Sequence, residues 1–189
     1  MNPFQRARDT ANAVRKSLLD GRADGEIPVS LLLEKVEVKL NLGIERLDKG
    51  ALELGDGDAC LHRNERYIYV RKDVNDDEYA ELVAHELGHW ELDVEKIPTT
   101  VASLTAMART EGSPGVVYVE AYGARERQEL QANVFGRELL LPRYVARSIF
   151  LSGKGARKAA KDLGIPLRIV RQQMLDAVLQ PYTKRMNDY

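Results

Sequence analysis

The chain has 189 residues, enough for one domain of ordinary size, and its 44% apolar and 30% charged residues are typical of soluble globular proteins. Its net charge of −1 excludes an overall basic field that would attract nucleic acid, and its single cysteine, Cys60, excludes an internal disulfide. Residues 1–21 contain no signal-peptide core and no run reaches the roughly 18 apolar residues of a membrane helix, so we expect a cytoplasmic protein with no membrane partner.

Two helices are predicted at the start of the chain. Residues 4–20 place apolar side chains along one side of a helix that precedes Gly21. A second helix is predicted to begin near Pro28, because proline suits the first helical turn, and to end at Gly43. The Val-Glu-Val alternation at 36–38 also fits a strand, so helix and strand remain alternatives there.

Between residues 44 and 73 the apolar pattern changes to a period of two, which predicts short strands. Turn-forming residues, mainly Gly, Asp and Asn, separate the runs. One of these turns, Gly55–Asp58, lacks the spaced acids of a calcium-binding EF-hand loop. We predict a small antiparallel sheet formed by four runs, 44–47, 51–54, 59–62 and 67–71.

Residues 76–93 read DDEYAELVAHELGHWELD and are predicted to form a helix. Asn75 or Asp76 can cap its start, acidic residues occupy its first turn, and apolar residues recur at helical spacing. Gly88 costs about 1 kcal/mol relative to alanine inside a helix, so its presence indicates close packing.

The same helix carries an H-E-x-x-H pattern. His85 and His89 lie one turn apart on one face, where two imidazoles can hold one metal ion. Glu86 lies beside them and can reach a water on that metal. The pattern therefore predicts a zinc site with a nearby base.

Residues 95–119 are the least regular part of the chain. We predict a short helix at 100–109 and a loop at 111–115, which could shape a substrate groove or be a surface loop. Residues 120–141 are predicted to form a long helix that ends at Pro142. Glu129 and Asn133 lie four residues apart in it and therefore share a face.

After Pro142 we predict a helix at 144–151, a hinge at 152–155 and two further helices at 156–163 and 167–179. A tight turn at Gly164 joins the last two helices, which is compatible with helix-turn-helix. Residues 152–185 include eight basic and two acidic side chains, a local patch that could contact DNA or be a solvated helical cap. The candidate DNA contacts are Lys154, Arg157, Lys158, Arg168 and Arg171.

A catalytic zinc ion takes three protein ligands and leaves a fourth position for water, so His85 and His89 need a third ligand. We favour Glu129, because a ligand on a second helix lets two rigid elements hold one zinc ion. Asn133 on the same face could hydrogen-bond a metal-bound histidine. By residue type the full set of candidate third ligands is Cys60, His62, Asp93, Glu126, Glu129 and Glu138.

In such a site Glu86 is the expected general base, taking a proton from the water that attacks a peptide carbonyl and passing it to the leaving amine. The tetrahedral oxyanion needs a further donor. Cys60 shares a strand face with His62 and could be an inhibitory ligand in the open zinc position, or a small buried hydrophobe. The candidate oxyanion donors are Tyr118, Tyr122 and Arg125.

Two separated blocks carry a family resemblance. His85-Glu-Leu-Gly-His-Trp90 is followed by Glu129-Leu-Gln-Ala-Asn-Val-Phe-Gly136 and then Leu139-Leu-Leu-Pro142. These blocks resemble the ImmA/IrrE metallopeptidases, whose usual pattern is H-E-L-G-H, then E-x-E-A-N-x-F-A and L-L-M-P. Gln131 here replaces a common glutamate and Gly136 a common alanine.

The resemblance covers residues 28–179 and implies a gluzincin-like core with zinc ligands at His85, His89 and Glu129 and a general base at Glu86. Many members carry another histidine where this chain has Asp93. Family members typically cut one regulatory partner, usually a helix-turn-helix repressor, in mobile-element, stress or phage-defence control. The resemblance therefore implies a regulatory protease with a protein substrate.

We predict an α+β, zincin-like fold in three segments: an N-terminal helix and linker (1–27), a metallopeptidase core (28–151) and a helix-turn-helix-like helical segment (152–189). One alternative is a DNA-binding or nucleic-acid-sensing regulator that acts through its C-terminal basic helices. Another is a non-catalytic zinc protein, against which Glu86 argues, because a purely structural site needs no base.

Overall fold

The computed structural model describes residues 2–20, 25–92 and 124–179, which combine helices with one small sheet. The strands are β1 (Gly43–Leu47), β2 (Ala59–His62) and β3 (Tyr67–Arg71). The helices are α1 (Pro3–Leu18), α2 (Val29–Leu40), α3 (Asp76–Leu92), α4 (Ala124–Leu140), α5 (Arg143–Leu151), α6 (Ala156–Leu163) and α7 (Leu167–Leu179). The predicted α+β fold class is confirmed. The helix predicted at 100–109 and the loop at 111–115 lie outside the described residues.

The two N-terminal helices have clear end signals. The Asn2 side chain accepts a hydrogen bond from the Phe4 amide at 2.9 Å and so caps α1. In α2, Val36 is fully buried whereas Val38 is 75% exposed, so the strand alternative for this stretch is wrong. The helix ends at Leu40, before the predicted Gly43, because Asn41 takes a left-handed conformation with φ 48°.

The sheet is mixed, which corrects the predicted antiparallel sheet. Its strand order is β1-β3-β2, with β3 parallel to β1 and antiparallel to β2. Ile68 in the central strand pairs with Ile44 on one side and with Leu61 on the other. The prediction failed because apolar alternation specifies which side chains face the core but not which strand is the neighbour.

The strand predicted at 51–54 is also wrong, since this stretch forms a single 3₁₀ turn, Leu52–Leu54. The Leu54 and Gly55 amides donate to the carbonyls of Ala51 and Leu52 at 3.1 and 3.2 Å, so these backbone groups bond locally. The turn buries Leu54 and leaves Leu52 94% exposed. Two alternating leucines were therefore too short a pattern to distinguish a strand from a turn.

Helices α3 and α4 pack together through small residues. A Cβ on Gly88 would lie 2.8 Å from the Ala132 Cα and 2.9 Å from the Ala132 carbonyl oxygen. One turn away, a Cβ on Gly136 would lie 3.2 Å from the Ala84 carbonyl carbon and 3.2 Å from the His85 amide nitrogen. The two helix backbones are thus in direct contact, which confirms the close packing predicted from Gly88.

One hydrophobic core includes residues from all seven described helices and from β2 and β3. Arg15 of α1 is 2% exposed, and its Nη1 donates to the carbonyls of Leu139 at 2.7 Å and Leu140 at 3.4 Å. These carbonyls lie in the last turn of α4, where helical donors are lacking. The N-terminal helix therefore supports α4 directly.

No helix in the described part of the chain combines the length and apolar character needed to cross a bilayer.

We expect Gly88→Ala to lower the free energy of unfolding by about 1–2 kcal/mol, because the clash with the α4 backbone outweighs the roughly 1 kcal/mol that alanine adds through helix propensity. Gly136→Ala should cost less, since its added Cβ would meet the α3 backbone at 3.2 Å rather than 2.8 Å. Urea unfolding with a chelator present measures both. An unchanged or more stable Gly88→Ala protein would contradict the close backbone contact.

Candidate metal centre

Three buried side chains from α3 and α4 converge on one point between the helices. His85 and His89 are 1% and 0% exposed, and Glu129 is 8% exposed. The His85 Nε2 lies 2.9 Å from the His89 Nε2 and 3.3 Å from the Glu129 Oε2, while the His89 Nε2 lies 3.5 Å from the Glu129 Oε1. One ligand atom from each residue lies within 4.8 Å of the other two, so the three residues could hold a metal ion.

The donor set fits zinc. Tetrahedral ligands about 2.0–2.2 Å from a zinc ion lie about 3.3–3.5 Å from one another. The two distances to Glu129, 3.3 and 3.5 Å, fall in this range, and the 2.9 Å between the two imidazoles is shorter. Two imidazoles and one carboxylate also make a three-ligand set that leaves a fourth position for water, as catalytic zinc sites do. Glu86, the next residue after His85 on α3, is 1% exposed and lies beside this set.

Asn133 orients one of the two imidazoles. Its Oδ1 lies 2.8 Å from the His85 Nδ1 and, as an amide oxygen, can only accept a hydrogen bond. The His85 Nδ1 is therefore the donor in this bond, and its Nε2 faces His89 and Glu129. The bond fixes the plane of the ring, and with a metal ion on Nε2 it would also fix the tautomer.

The Glu129 carboxylate is the negative partner of the two imidazoles. Burial acts to raise its pKa, but hydrogen bonds and charge interactions with His85 and His89 outweigh burial and lower the pKa to about 2. Glu129 is therefore a carboxylate at neutral pH, the form that binds a cation. The close contact at Gly88 keeps α4 near enough to α3 for this carboxylate to reach both rings.

The other candidate third ligands lie outside this group. Cys60 is buried on β2 and is not among the three grouped residues, so an inhibitory role for its thiol stays a prediction. The His62 Nε2 lies 2.8 Å from the Glu53 carbonyl, and Glu126 is exposed. Glu138 is buried and accepts hydrogen bonds from Asn12 and Gln173 at 3.2 and 3.1 Å. Asp93 lies outside the described residues.

The candidate oxyanion donors fall where the structure gives no side-chain information. Tyr118 and Tyr122 lie outside the described residues, and the side chain of Arg125 is not described although its backbone belongs to α4. Their roles therefore stay predictions.

Two of the five candidate DNA contacts pair with acids of the same chain. Lys154 pairs with Glu26 and, at 2.8 Å, with Asp162, while Arg168 pairs with Glu81 on α3. The remaining three candidates, Arg157, Lys158 and Arg171, are exposed. The predicted helix pair α6–α7 is confirmed, with Gly164 in the left-handed conformation at its turn.

Sequence reasoning missed Arg63, which lies in the turn between β2 and β3 and contacts the end of α3. The Arg63 Nη2 donates to the His89 carbonyl and, at 3.3 Å, to the Trp90 carbonyl. The sequence places Arg63 only in a turn between two strands. The two residues that it contacts lie 26 and 27 positions away, so no local spacing could have revealed the contact.

Together these features define a class. The fold is α+β, and its H-E-x-x-H helix packs against a second helix that carries an acidic side chain within ligand distance. This is the arrangement of H-E-x-x-H peptidases. Residues 45–174 match the peptidase family described as the IrrE N-terminal-like domain, and the chain belongs to that family. The matched range includes α3, α4 and all three strands except the first two residues of β1. Comparison with the curated proteins finds no match.

We expect the purified protein to bind one zinc ion per chain. His85→Ala and Glu129→Ala should each lower zinc affinity by more than about 100-fold, because losing a ligand costs more than disturbing the groups behind it. His62→Ala is the matched control and should retain wild-type affinity, since this histidine bonds the Glu53 carbonyl on another element. Chelator competition measures the affinities, and equal loss in the His62 variant would refute the assignment.

Asn133→Ala should weaken zinc binding by about 10–100-fold, because it leaves the His85 Nδ1–H without its acceptor and frees the ring to rotate. Asn12→Ala removes another half-buried amide that bonds Glu138 instead, so its zinc affinity should not change. The same chelator competition compares the two variants. Equal affinities would show that Asn133 does not orient His85.

Proposed function

We propose that the protein is a zinc-dependent endopeptidase that makes a limited, regulatory cut in a partner protein. The observation that carries the proposal is the convergence of His85, His89 and Glu129 within 4.8 Å, beside a buried Glu86. Membership in a peptidase family supports hydrolysis of peptide bonds as the reaction. A purely structural zinc site is less well supported, because it has no need of Glu86.

His85, His89 and Glu129 would hold the ion, which when bound supplies a Lewis acid and a water of lowered pKa. The chain itself supplies proton transfer. Glu86 takes a proton from the attacking water and delivers it to the leaving amine nitrogen. Asn133 holds the His85 ring so that its Nε2 keeps facing the other two side chains throughout.

Burial of the site supports limited cleavage. Each of the three residues is at most 8% exposed, which favours an extended or locally unfolded segment as the substrate. A helix-turn-helix repressor in stress, mobile-element or phage-defence control is the substrate class that the sequence resemblance indicates. We place the activity in the cytoplasm, because a single cysteine fits a reducing compartment.

The alternative in which the C-terminal helices act on DNA has less support. Ion pairs within the chain occupy Lys154 and Arg168, so Arg157, Lys158 and Arg171 are the exposed and remaining members of the five candidate contacts. Three surface cations on a protein of net charge −1 are an ordinary solvated surface as readily as a phosphate-binding one.

Glu86→Gln should strongly slow cleavage and preserve zinc content, because the amide cannot act as the base but retains the shape of the side chain. Loss of a general base costs about 10²–10⁴-fold in rate. New N-termini generated in a proteome-derived peptide library, detected by mass spectrometry, measure cleavage. Glu78→Gln in the first turn of α3 is the control and should retain wild-type activity.

Full activity of the Glu86→Gln variant would exclude Glu86 as the base. Wild-type protein that binds zinc and cleaves neither the library nor a helix-turn-helix repressor encoded beside its gene would count against the peptidase proposal. A biological effect that persists in Glu86→Gln and disappears when Arg157, Lys158 and Arg171 are replaced would favour the nucleic-acid alternative.

A further inference from the structure

Arg63 lies in the turn between β2 and β3 and reaches the far end of α3. Its Nη2 donates to the carbonyl oxygens of His89 and Trp90. The guanidinium also lies 5.5 Å from the centre of the Trp90 indole ring. Arg63 therefore contacts both the backbone and a side chain of the last four residues of α3.

The contact is placed where a helix needs donors. The carbonyls near the C-terminus of a helix are the ones that need donors from outside it, and those of His89 and Trp90 lie in the last four residues of α3, Asp76–Leu92. A positive charge at a helix C-terminus also interacts favourably with the helix dipole. Arg63 satisfies both conditions from a different part of the chain, and so fixes where this turn of α3 lies.

Arg66, at the other end of the same turn, has different partners. The Arg66 amide donates to the Arg63 carbonyl at 3.2 Å, which closes the turn. The Arg66 guanidinium donates to the carbonyls of Leu40 and Asn41 at 2.6 and 2.8 Å, and lies 5.2 Å from the centre of the Trp90 ring. Arg66 thus shares the Trp90 ring with Arg63 but bonds the end of α2 instead of α3.

The two histidines differ in how their rings are held. The His85 Nδ1 bonds Asn133, whereas the buried His89 Nδ1 has no hydrogen-bond partner among the described residues. No side-chain acceptor in that part of the structure therefore sets the direction of the His89 ring. Its direction depends on packing and on the backbone position of residue 89, whose carbonyl is bonded by Arg63.

We propose that Arg63 is a positioning residue for His89: by holding the His89 and Trp90 carbonyls, it fixes the backbone from which the second imidazole reaches the metal. This inference rests on the proposed zinc site. Asn133 then orients His85 through its ring, whereas Arg63 positions His89 through its main chain.

The test compares Arg63→Met with Arg66→Met in the full chain. Both replacements keep an apolar stem against Trp90 and remove a guanidinium, but only the first removes donors to α3. We expect Arg63→Met to weaken zinc binding by about 10–100-fold, and Arg66→Met to change it by less than about threefold. Chelator competition gives the affinities, and the visible absorption of bound Co²⁺ reports the geometry of the ligands. The Co²⁺ spectrum should change in Arg63→Met alone.

Arg63→Lys provides a second variant that keeps the positive charge and one set of donors, and should recover part of the lost affinity. Circular dichroism of the metal-free proteins shows whether each variant is folded. Wild-type zinc affinity and an unchanged Co²⁺ spectrum in both Arg63 variants would overturn the inference, as would equal losses in Arg63→Met and Arg66→Met. Wild-type protein that binds no zinc would instead overturn the proposed function, and the inference with it.

Discussion

The contact between the backbones of α3 and α4 is the constraint on which the candidate metal centre depends. Packed helices are usually 8–10 Å apart, at a distance set by the side chains between them. Here Gly88 faces the Ala132 backbone and Gly136 faces the Ala84 and His85 backbone, so almost nothing separates the helices. Glu129 lies one turn before Ala132, and a short carboxylate side chain can therefore reach both imidazoles. A larger side chain at position 88 would push α4 away from α3, and this would move the Glu129 carboxylate away from His85 and His89.

This group of side chains places polar atoms inside the hydrophobic core, and the free-energy cost of removing them from water has to be offset by other interactions. A buried carboxylate is destabilised by loss of water, yet the imidazoles of His85 and His89 reverse this effect and lower the pKa of Glu129 to about 2. Asn133 satisfies the opposite side of His85 at 2.8 Å. The side chains that would bind the ion are thus held in place largely by one another, in an environment that favours a bound cation.

The sequence predicted the three converging side chains better than the sheet, for a physical reason. Helical periodicity places His85 and His89 on one face, because residues four apart share a face, and Glu129 was favoured among six candidate ligands because it lies on a second helix. Strand alternation identified 44–47, 59–62 and 67–71, but it contains no information about partners, so the parallel β1–β3 pair could not be found. Two leucines at 51–54 were too few to separate a strand from a 3₁₀ turn.

The contacts that sequence reasoning could not find are those that hold the two site helices at their ends. Arg15 of α1 bonds carbonyls in the last turn of α4, and Arg63 bonds those of His89 and Trp90 in α3. An arginine carries no signal of which distant carbonyl it will reach, because its long side chain is compatible with almost any surface position.

Helix α3 is in fact held along its whole length by different parts of the chain. The Asn75 side chain accepts a hydrogen bond from the Glu78 amide at 2.9 Å, Arg168 of α7 pairs with Glu81, α4 contacts Gly88, and Arg63 bonds the last turn. The pair between Arg168 and Glu81 links the C-terminal helices to the residue one turn before His85. Arg168, a candidate DNA contact in the sequence, therefore supports the helix of the candidate metal centre. Because α3 is fixed at four places, the side chains that would bind a metal ion are held in one arrangement before binding. Functional sites require such preorganised side chains on a rigid scaffold.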